Sequence, residues 1–264
     1  MDFSTTALQG KVALITGGGS GIGRAIALQL AEAGADIAVT SRNGVSLQET
    51  ASKIRSMGGR ALDVAADVSK KADVDRMYER VVAEFGKVDI LVNCAGGSAR
   101  ERSSLFCDST EEIWDEIIGL NYKGVLNVTH AAINDMIARK GGRGINISSL
   151  DGVIGASGRA DYSGAKAAVI GFSNALAKEV AQHHITVNCI SPGPIVSGYD
   201  EVMLTGNSPD AAKWVQQMGA VTGFGYGSKA DISSMALYLA LDSSGFVSGQ
   251  NFSICGLANI NPGW

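Results

Sequence analysis

The sequence is poor in the features that mark specialised protein classes. Its four cysteines, Cys94, Cys107, Cys189 and Cys255, are scattered without a C-x-x-C spacing. That argues against a zinc site or a disulfide framework and leaves reduced core or loop thiols, so no bound metal is expected. The longest apolar stretches, such as Val12–Ile15 and Ile185–Ile190, fall far short of the roughly 20 residues that span a bilayer. Met1-Asp-Phe-Ser-Thr-Thr6 has no basic segment followed by an apolar one, so no secretory leader is expected and the cytoplasm is the default compartment. Basic residues are not in excess: 22 Lys and Arg stand against 26 Asp and Glu, a net charge of −4. Nucleic acid and acidic membrane are therefore poor partners. No linker, low-complexity tract or internal repeat divides the 264 residues, and 45% apolar content can fill one substantial core, so residues 1–264 are read as one α/β domain.

Glycine, by contrast, is abundant, with 34 residues that cluster where strands hand over to helices. Lys11–Thr16 is a β-branched and apolar run suited to a strand buried on both faces. Gly17-Gly-Gly-Ser20-Gly21-Ile22-Gly23 follows, then a helical pattern from Arg24 closed by Gly34. Strand, glycine turn and helix in that order open a dinucleotide-binding unit, in which the backbone approaches the pyrophosphate at the helix N-terminus. The second strand, Asp36–Ser41, has no acid at its carboxyl end to hold a ribose 2′-hydroxyl. Asp36 opens the strand, roughly 16 Å from the ligand edge at about 3.3 Å per residue. Ser41 takes the end position, and the guanidinium of Arg42 beside it can pair with a 2′-phosphate, which favours NADP over NAD.

The alternation continues. A helix is predicted over 44–57, a third strand over 60–66 ending at Asp67 and Val68, and a helix capped by Ser69 and closed by Gly86. Strand Val88–Val92 follows and leads into Asn93-Cys-Ala95-Gly96. Ser109–Glu112 opens a long helix that is interrupted around Gly119–Gly124 before apolar spacing resumes through Met136. Asn121 in that interruption can satisfy freed backbone groups or take part in chemistry. A fifth strand, Gly144–Ser148, delivers Ser149 at its carboxyl end, the edge where open α/β sheets bind ligands. Helix, sixth strand (Ile185–Ile190) and Ser191-Pro192-Gly193-Pro194-Ile195 come next. Residues 196–227 carry Met203, Leu204, Trp214, Met218, Phe224 and Tyr226 without a long strand, as a binding lid or two packed short helices. Helix Lys229–Leu241 and strand Asn251–Ile254 complete the series. Such alternation predicts a doubly wound, parallel sheet with helices on both faces.

In a helix starting near Tyr162, Tyr162 and Lys166 lie one above the other. A free phenol has a pKa of about 10, and a fixed ammonium favours its ionised form. Such a Tyr can exchange a proton with an alcohol or carbonyl oxygen near neutrality, and Ser149 can donate a second hydrogen bond to that oxygen. The same spacing also describes an ordinary solvated pair, and only the company elsewhere in the chain decides.

That company resembles the short-chain dehydrogenase/reductase family from Val12 to about Gly256. The shared residues are Thr16-Gly17-x-x-x-Gly21-Ile22-Gly23, Asp67, Asn93-x-Ala95-Gly96, Asn121, Ser149, Tyr162-x-x-x-Lys166 and Pro192-Gly193. The resemblance implies a Rossmann fold with a mainly parallel seven-stranded sheet. It implies that Tyr162 exchanges the proton, Lys166 lowers its pKa and holds the nicotinamide ribose, and Ser149 orients the substrate oxygen. Ser149 is preferred to Ser148 because the family usually places its serine thirteen residues before the tyrosine. Asn121 would hold a water linking Lys166 to solvent. For the cofactor it implies Gly17, Ser20, Gly21, Ile22 and Gly23 at the pyrophosphate, with Ser41 and Arg42 at the ribose of the adenosine half. Asp67 and Val68 would meet adenine, Asn93, Ala95 and Gly96 the cofactor's middle, and Pro192, Gly193 and Ile195 the nicotinamide side, with Ile195 at the carboxamide and Ser197 at the cofactor phosphate. A homotetramer packed through helices around 124–139 and 162–181 is also implied.

Three departures stand out. Ser197 replaces a common Thr, Gly225–Asp231 lacks the usual Pro before its helix, and Ile254-Cys255-Gly256-Leu257 stands where Asp-Gly-Gly is common. The expected activity is hydride transfer between NADP(H), with NAD(H) as the alternative, and a small-molecule carbonyl or secondary alcohol. A mostly apolar lid points to a ketone, ring or acyl thioester. Arg102, Asp151 and Asp161 are candidates for the substrate pocket, or equally for surface and packing. The rival readings are an NAD-dependent alcohol dehydrogenase, dehydration or epimerisation on bound cofactor, and a nucleotide sensor without turnover.

Overall fold

The computed structural model describes residues 6–97, 104–196 and 222–260. In chain order it forms β1 (Val12–Thr16), α1 (Gly21–Glu32), β2 (Asp36–Ser41), α2 (Gly44–Ser56), β3 (Ala61–Ala65), α3 (Lys71–Phe85) and β4 (Ile90–Asn93). Then come α4 (Glu111–Ile118), α5 (Gly124–Arg139), β5 (Gly142–Ile147), α6 (Asp151–Ile154), α7 (Ala160–Val180), β6 (Ile185–Pro192), α8 (Lys229–Ala240) and β7 (Asn251–Ile254).

The strands join into one seven-stranded sheet in the order β3-β2-β1-β4-β5-β6-β7, and every neighbouring pair is parallel. Successive side chains of a strand point to opposite faces, and the two halves of the core follow from that alternation. Ala13, Ile15, Ile37 and Val39 pack beneath α1, α2 and α8 with Ile26, Leu30, Leu47, Ile54, Ile232 and Leu239. Leu14, Ala38 and Leu91 face the other way, against Met77 and Val81 of α3, Val128 and Met136 of α5, and Val180 of α7. Both faces being covered, a strand such as β1 is buried at every residue, which is why it reads as a continuous apolar run. Among the described residues no helix is long and apolar enough to cross a membrane.

One local prediction needs correction, and two others gain detail. Ser69 does not cap α3: Lys70 holds the cap position without a side-chain bond, and the Ser69 amide and hydroxyl both donate to Asp67 Oδ1, at 3.0 and 2.7 Å. Within the predicted start Ser109–Glu112, Thr110 sits at the cap of α4, and the Ser109 hydroxyl accepts from the Trp114 indole at 3.0 Å. The break predicted near Gly119 is a π turn, Gly119–Lys123, running straight from α4 into α5. Such a turn leaves a carbonyl without its usual partner, and Asn121 Nδ2 supplies one by donating to Ile117 O at 3.0 Å.

The missing Pro before α8 is compensated by a capping box. The Ser228 amide donates to Asp231 Oδ2 at 2.6 Å and the Asp231 amide to Ser228 Oγ at 3.4 Å; the Ser228 amide, together with the Ser228 hydroxyl 2.8 Å from the same oxygen, holds the Asp231 carboxyl below the usual carboxylate range. Removing such a cap costs about 1 kcal/mol. Ser228→Ala is therefore expected to lower the unfolding free energy by about that amount in urea melts, and an unchanged midpoint would show that the box does not anchor α8.

Candidate active site

A parallel sheet brings the carboxyl ends of its strands to one edge, and in this strand order the crevice opens between β1 and β4. The two ends are tied across it by Thr16, whose Oγ1 accepts from the Cys94 and Ala95 amides, both at 3.0 Å. Thr16 stood in the sequence pattern with no role attached; a hydroxyl at the last residue of a buried strand was the available signal. Gly17 turns the chain away with φ +70°, and a Cβ there would lie 3.0 Å from the Ala95 backbone. Ser20 precedes α1 without capping it by its side chain, leaving the first-turn amides of Gly21, Ile22 and Gly23 available to an anion.

At the end of β2 the Ser41 hydroxyl donates to Asn43 O at 3.3 Å, and Asn43 Oδ1 caps α2 through the Val45 and Ser46 amides. Arg42 is exposed and makes no hydrogen bond or close ion pair with a described residue. Its charge reaches Asp67. Burial works against ionisation of Asp67, but the two Ser69 hydrogen bonds, with Lys70 and Arg42 nearby, hold its carboxyl below the usual range. Asp36 lies at the far end of β2, paired with Arg60 at 2.8 Å. Val68 is buried, its carbonyl accepting from Asn127 Nδ2 at 2.9 Å.

The Asn93 side chain is engaged inside the core, where Nδ2 donates to Thr129 Oγ1 at 3.0 Å and to Asn146 Oδ1 at 2.8 Å. Asn146 passes the chain on to Ser173 at 2.7 Å, and Cys189 Sγ lies 3.1 Å from the same hydroxyl. Strand alternation carries the Asn93 side chain to the α5 and α7 face, so a cofactor could meet only its backbone. Ile195 similarly turns its side chain into the core. Gly193 is pinned through its amide to Ile254 O at 2.9 Å, and the Pro192 carbonyl accepts from the Leu150 amide at the same distance.

Lys166, Asn121, Gly96 and Tyr162 converge at the centre of this edge. Lys166 Nζ is buried, donates to Ile147 O at 2.9 Å, and lies 5.8 Å from the Tyr162 ring centre. A Cβ on Gly96 would come within 3.0 Å of that Nζ and 2.7 Å of Asn121 Oδ1. Asn121 clasps the next residue from both sides, accepting from the Gly97 amide at 3.1 Å and donating to Gly97 O at 2.9 Å. The two adjacent serines separate cleanly. Ser148 is buried with its hydroxyl donated to Lys166 O at 2.8 Å, whereas Ser149 is partly open and its Oγ accepts from the Asp151 amide at 3.2 Å. Burial lowers the Lys166 pKa to about 8, opposed by the nearby Cys94 and Cys189 sulfurs. It also pushes those thiols up, to about 12 and about 11.

The ends of the 196–227 segment are joined: the Val196 amide donates to Gly227 O at 2.9 Å and the Gly227 amide to Pro194 O at 3.0 Å. Ser197, Arg102, Met203, Leu204, Trp214 and Met218 lie outside the described residues. Asp161 accepts from the Tyr162 amide at 2.7 Å, and Asp151 is paired with Arg159. Among the described residues no cluster of His, Cys, Asp and Glu could hold a metal.

Comparison with known proteins now decides the family. Residues 11–208 match the family described as short chain dehydrogenase. The chain belongs to the short-chain dehydrogenase/reductase family. It is 38% identical over 257 residues to the (2S)-[(R)-hydroxy(phenyl)methyl]succinyl-CoA dehydrogenase subunit BbsD of Thauera aromatica, covering 97% of this chain and 99% of that one. It is also 38% identical over 252 residues to the 3-oxoacyl-[acyl-carrier-protein] reductase FabG of Chlamydia trachomatis, covering 94% and 97%. The crystal structure of levodione reductase superposes with a TM-score of 0.89 at 26% identity, covering 96% of this chain and 99% of that one. As a short-chain dehydrogenase/reductase the chain is an NAD(P)-dependent oxidoreductase, and the expected doubly wound sheet is the fold that this family has here.

The buried ammonium makes a stability prediction. With a folded pKa of about 8 against an ordinary 10.5, Lys166 binds its proton more weakly in the folded chain. Between those values the unfolded state carries more protons, so this residue's contribution to unfolding free energy rises with pH, by up to about 1.4 kcal/mol per unit. The raised thiols act oppositely above their ordinary value, so the slope is read as wild type minus Lys166→Met in urea unfolding from pH 8 to 10.5. A difference that stays flat would mean that the ammonium is not desolvated.

Proposed function

We propose that the protein is an NADP(H)-dependent reductase or dehydrogenase in which Tyr162 exchanges a proton with the oxygen of a carbonyl or secondary alcohol. The observation that carries this reading is the buried Lys166 ammonium 5.8 Å from the Tyr162 ring, with the partly open Ser149 hydroxyl just past the carboxyl end of β5. When bound, the nicotinamide supplies or accepts the hydride. Ser149 donates a hydrogen bond to the substrate oxygen, and Tyr162 donates its proton to that oxygen as negative charge develops there. Lys166, still an ammonium below about pH 8, favours the phenolate left behind. Asn121 holds the Gly96–Gly97 loop in place beside the ammonium, where the absence of a Gly96 side chain leaves room for the ribose that Lys166 would hold.

The fit for the cofactor rests on this chain's own residues. The close-packed Gly17 turn and the uncapped α1 suit a pyrophosphate, and the exposed Arg42, with no described acidic partner in contact, suits a 2′-phosphate. Asp67 and the Val68 backbone would take adenine, and Pro192, Gly193 and Ile195 the nicotinamide side, with Ser197 at the cofactor phosphate. For substrate, the similar proteins' names include two acyl thioesters and a dione. Exposed Phe224 and Leu257 at the described end of the 196–227 lid add apolar surface, so the reading is a ketone, ring ketone or acyl thioester. All four cysteines are free, as suits a reducing cytoplasm.

Tyr162→Phe is expected to lower kcat by at least about a hundredfold with NADPH affinity intact, the scale of general acid catalysis. Activity retained in that variant would reject the mechanism. Separately, Arg42→Ala should weaken NADPH but not NADH in fluorescence titrations, by about tenfold for a charge-assisted pair of 1.5 kcal/mol or so. Equal binding of both cofactors to the wild type would make Arg42 a surface charge. The outward faces of α5 and α7 are the proposed tetramer interface, and sedimentation velocity at micromolar concentration should give four chains; a monomer would refute it.

A further inference from the structure

Ser149 and Tyr162 come from different elements, one after β5 and one in the first turn of α7, and what fixes their spacing is the short hairpin between them. α6 leaves Ser149 with the Asp151 amide bonded to the Ser149 hydroxyl at 3.2 Å. It then lies directly on α7: a Cβ on Gly152 would sit 2.8 Å from the Ala167 amide nitrogen and 2.9 Å from Lys166 Cβ. The loop returns through Gly155–Gly158 to Arg159, the residue before α7. The Ala156 amide ties the loop to α7 by donating to Ser163 Oγ at 3.2 Å, and the Ser163 amide donates to Arg159 O at 2.9 Å as the helix opens. One side-chain contact closes the hairpin across its middle: Arg159 Nη1 to Asp151 Oδ2 at 2.7 Å, with the side chains only 26% and 16% exposed.

We propose that the Asp151–Arg159 ion pair is a positioning clamp that sets the Ser149 hydroxyl against the Tyr162 phenol, an inference that rests on the proton-transfer reading above. The residue at one end of the pair holds Ser149 through its own amide. The residue at the other end is the last before the helix that carries Tyr162. Tyr162 therefore sits between two anchors on α6, the Arg159 pair on one side and the Gly152–Lys166 packing on the other. As a stabiliser of the fold a partly exposed pair contributes little. As a receptor for an anionic substrate, Arg159 would first have to give up a carboxylate already at contact distance. Positioning is what remains, and misplacement of reacting groups by about 1 Å costs about a hundredfold in rate.

The test is a double-mutant cycle of Arg159→Met, Asp151→Asn and the double variant, with Arg159→Lys as the conservative change. NADPH oxidation is followed with acetoacetyl-CoA and a cyclohexanedione as probes, and thermal melts confirm folding. The expected result is a kcat lowered about tenfold or more in each single variant, with the KM for NADPH unchanged. The double variant should be no worse than either single, because both act through one contact, and Arg159→Lys should recover part of the rate. Kcat within twofold of wild type in both singles, additive losses, or losses confined to the KM for the carbonyl probe would each overturn the clamp while leaving the Tyr162 mechanism intact. Wild type without turnover on either probe, or Tyr162→Phe as active as wild type, would instead remove the reading on which the clamp rests, and the clamp with it.

Discussion

A buried ammonium at the carboxyl edge of the sheet is the constraint from which most of the site's local architecture follows. Lys166 is 4% exposed, and taking such a group out of water costs several kcal/mol unless it is paired or hydrogen-bonded. The described protein offers it one carbonyl, Ile147 O, and no carboxylate within ion-pair distance, so its pKa falls. Space for it is made by absence of side chains: Gly96 and Gly152 are both positions where a Cβ would press on Lys166. The π turn belongs to the same arrangement, since it lets Asn121 reach Gly97 and Ile117 together, keeping the glycine loop in place beside the charge.

The end of β4 is held through both its side chain and its backbone, which explains how a crevice lined by loops keeps its shape. Through its side chain Asn93 enters a buried polar chain by way of Asn146 to Ser173 and Cys189. Two residues on, the backbone turns its amides to Thr16. Hydrogen bonds in a low-dielectric interior are strong when satisfied and costly when broken, so this double attachment fixes the β1–β4 crevice more firmly than loop packing could. A polar chain through the core thus serves the site without any of its side chains touching a ligand.

How much of this was legible in the sequence depended on whether a feature is local. Strand and helix order follows from periodicity and glycine placement, and β2, α2 and β7 lie where those signals put them. Tyr162 and Lys166 share a helix, so their spacing alone brings them together. Features that depend on the far side of a contact were not legible. Ser148 and Ser149 are neighbours of identical chemistry, and only the carbonyl of Lys166, eighteen residues from Ser148, separates the buried one from the open one. The motif placed Asn93 at the strand end without its facing, because a strand end can present its backbone to the sheet edge and its side chain to the core. Ser69 is the exception: its misreading as a helix cap was local, since Asp67, two residues before it, claims both of its donors in an Asx-type turn.

The departures from the family pattern that the structure describes lie at the mouth of the site. Leu257, where a glycine is common, adopts φ +74°, a conformation that costs a residue with a Cβ roughly 1–2 kcal/mol. It is held there by its surroundings. The Gly223 amide donates to Gly256 O at 3.0 Å, a Cβ on Gly223 would lie 3.2 Å from Leu257 Cδ1, and Cys255 and Ala258 cluster with Leu150, the residue after Ser149. The tail therefore links the segment around Gly223 to the strand edge that presents Ser149. Strain of this size persists only where neighbouring contacts over-determine the backbone, and here those contacts join the parts of the molecule that would shape a substrate. The Tyr162–Lys166 core follows the common pattern while the tail departs from it, as expected when one chemistry is retained and the pocket around it is altered.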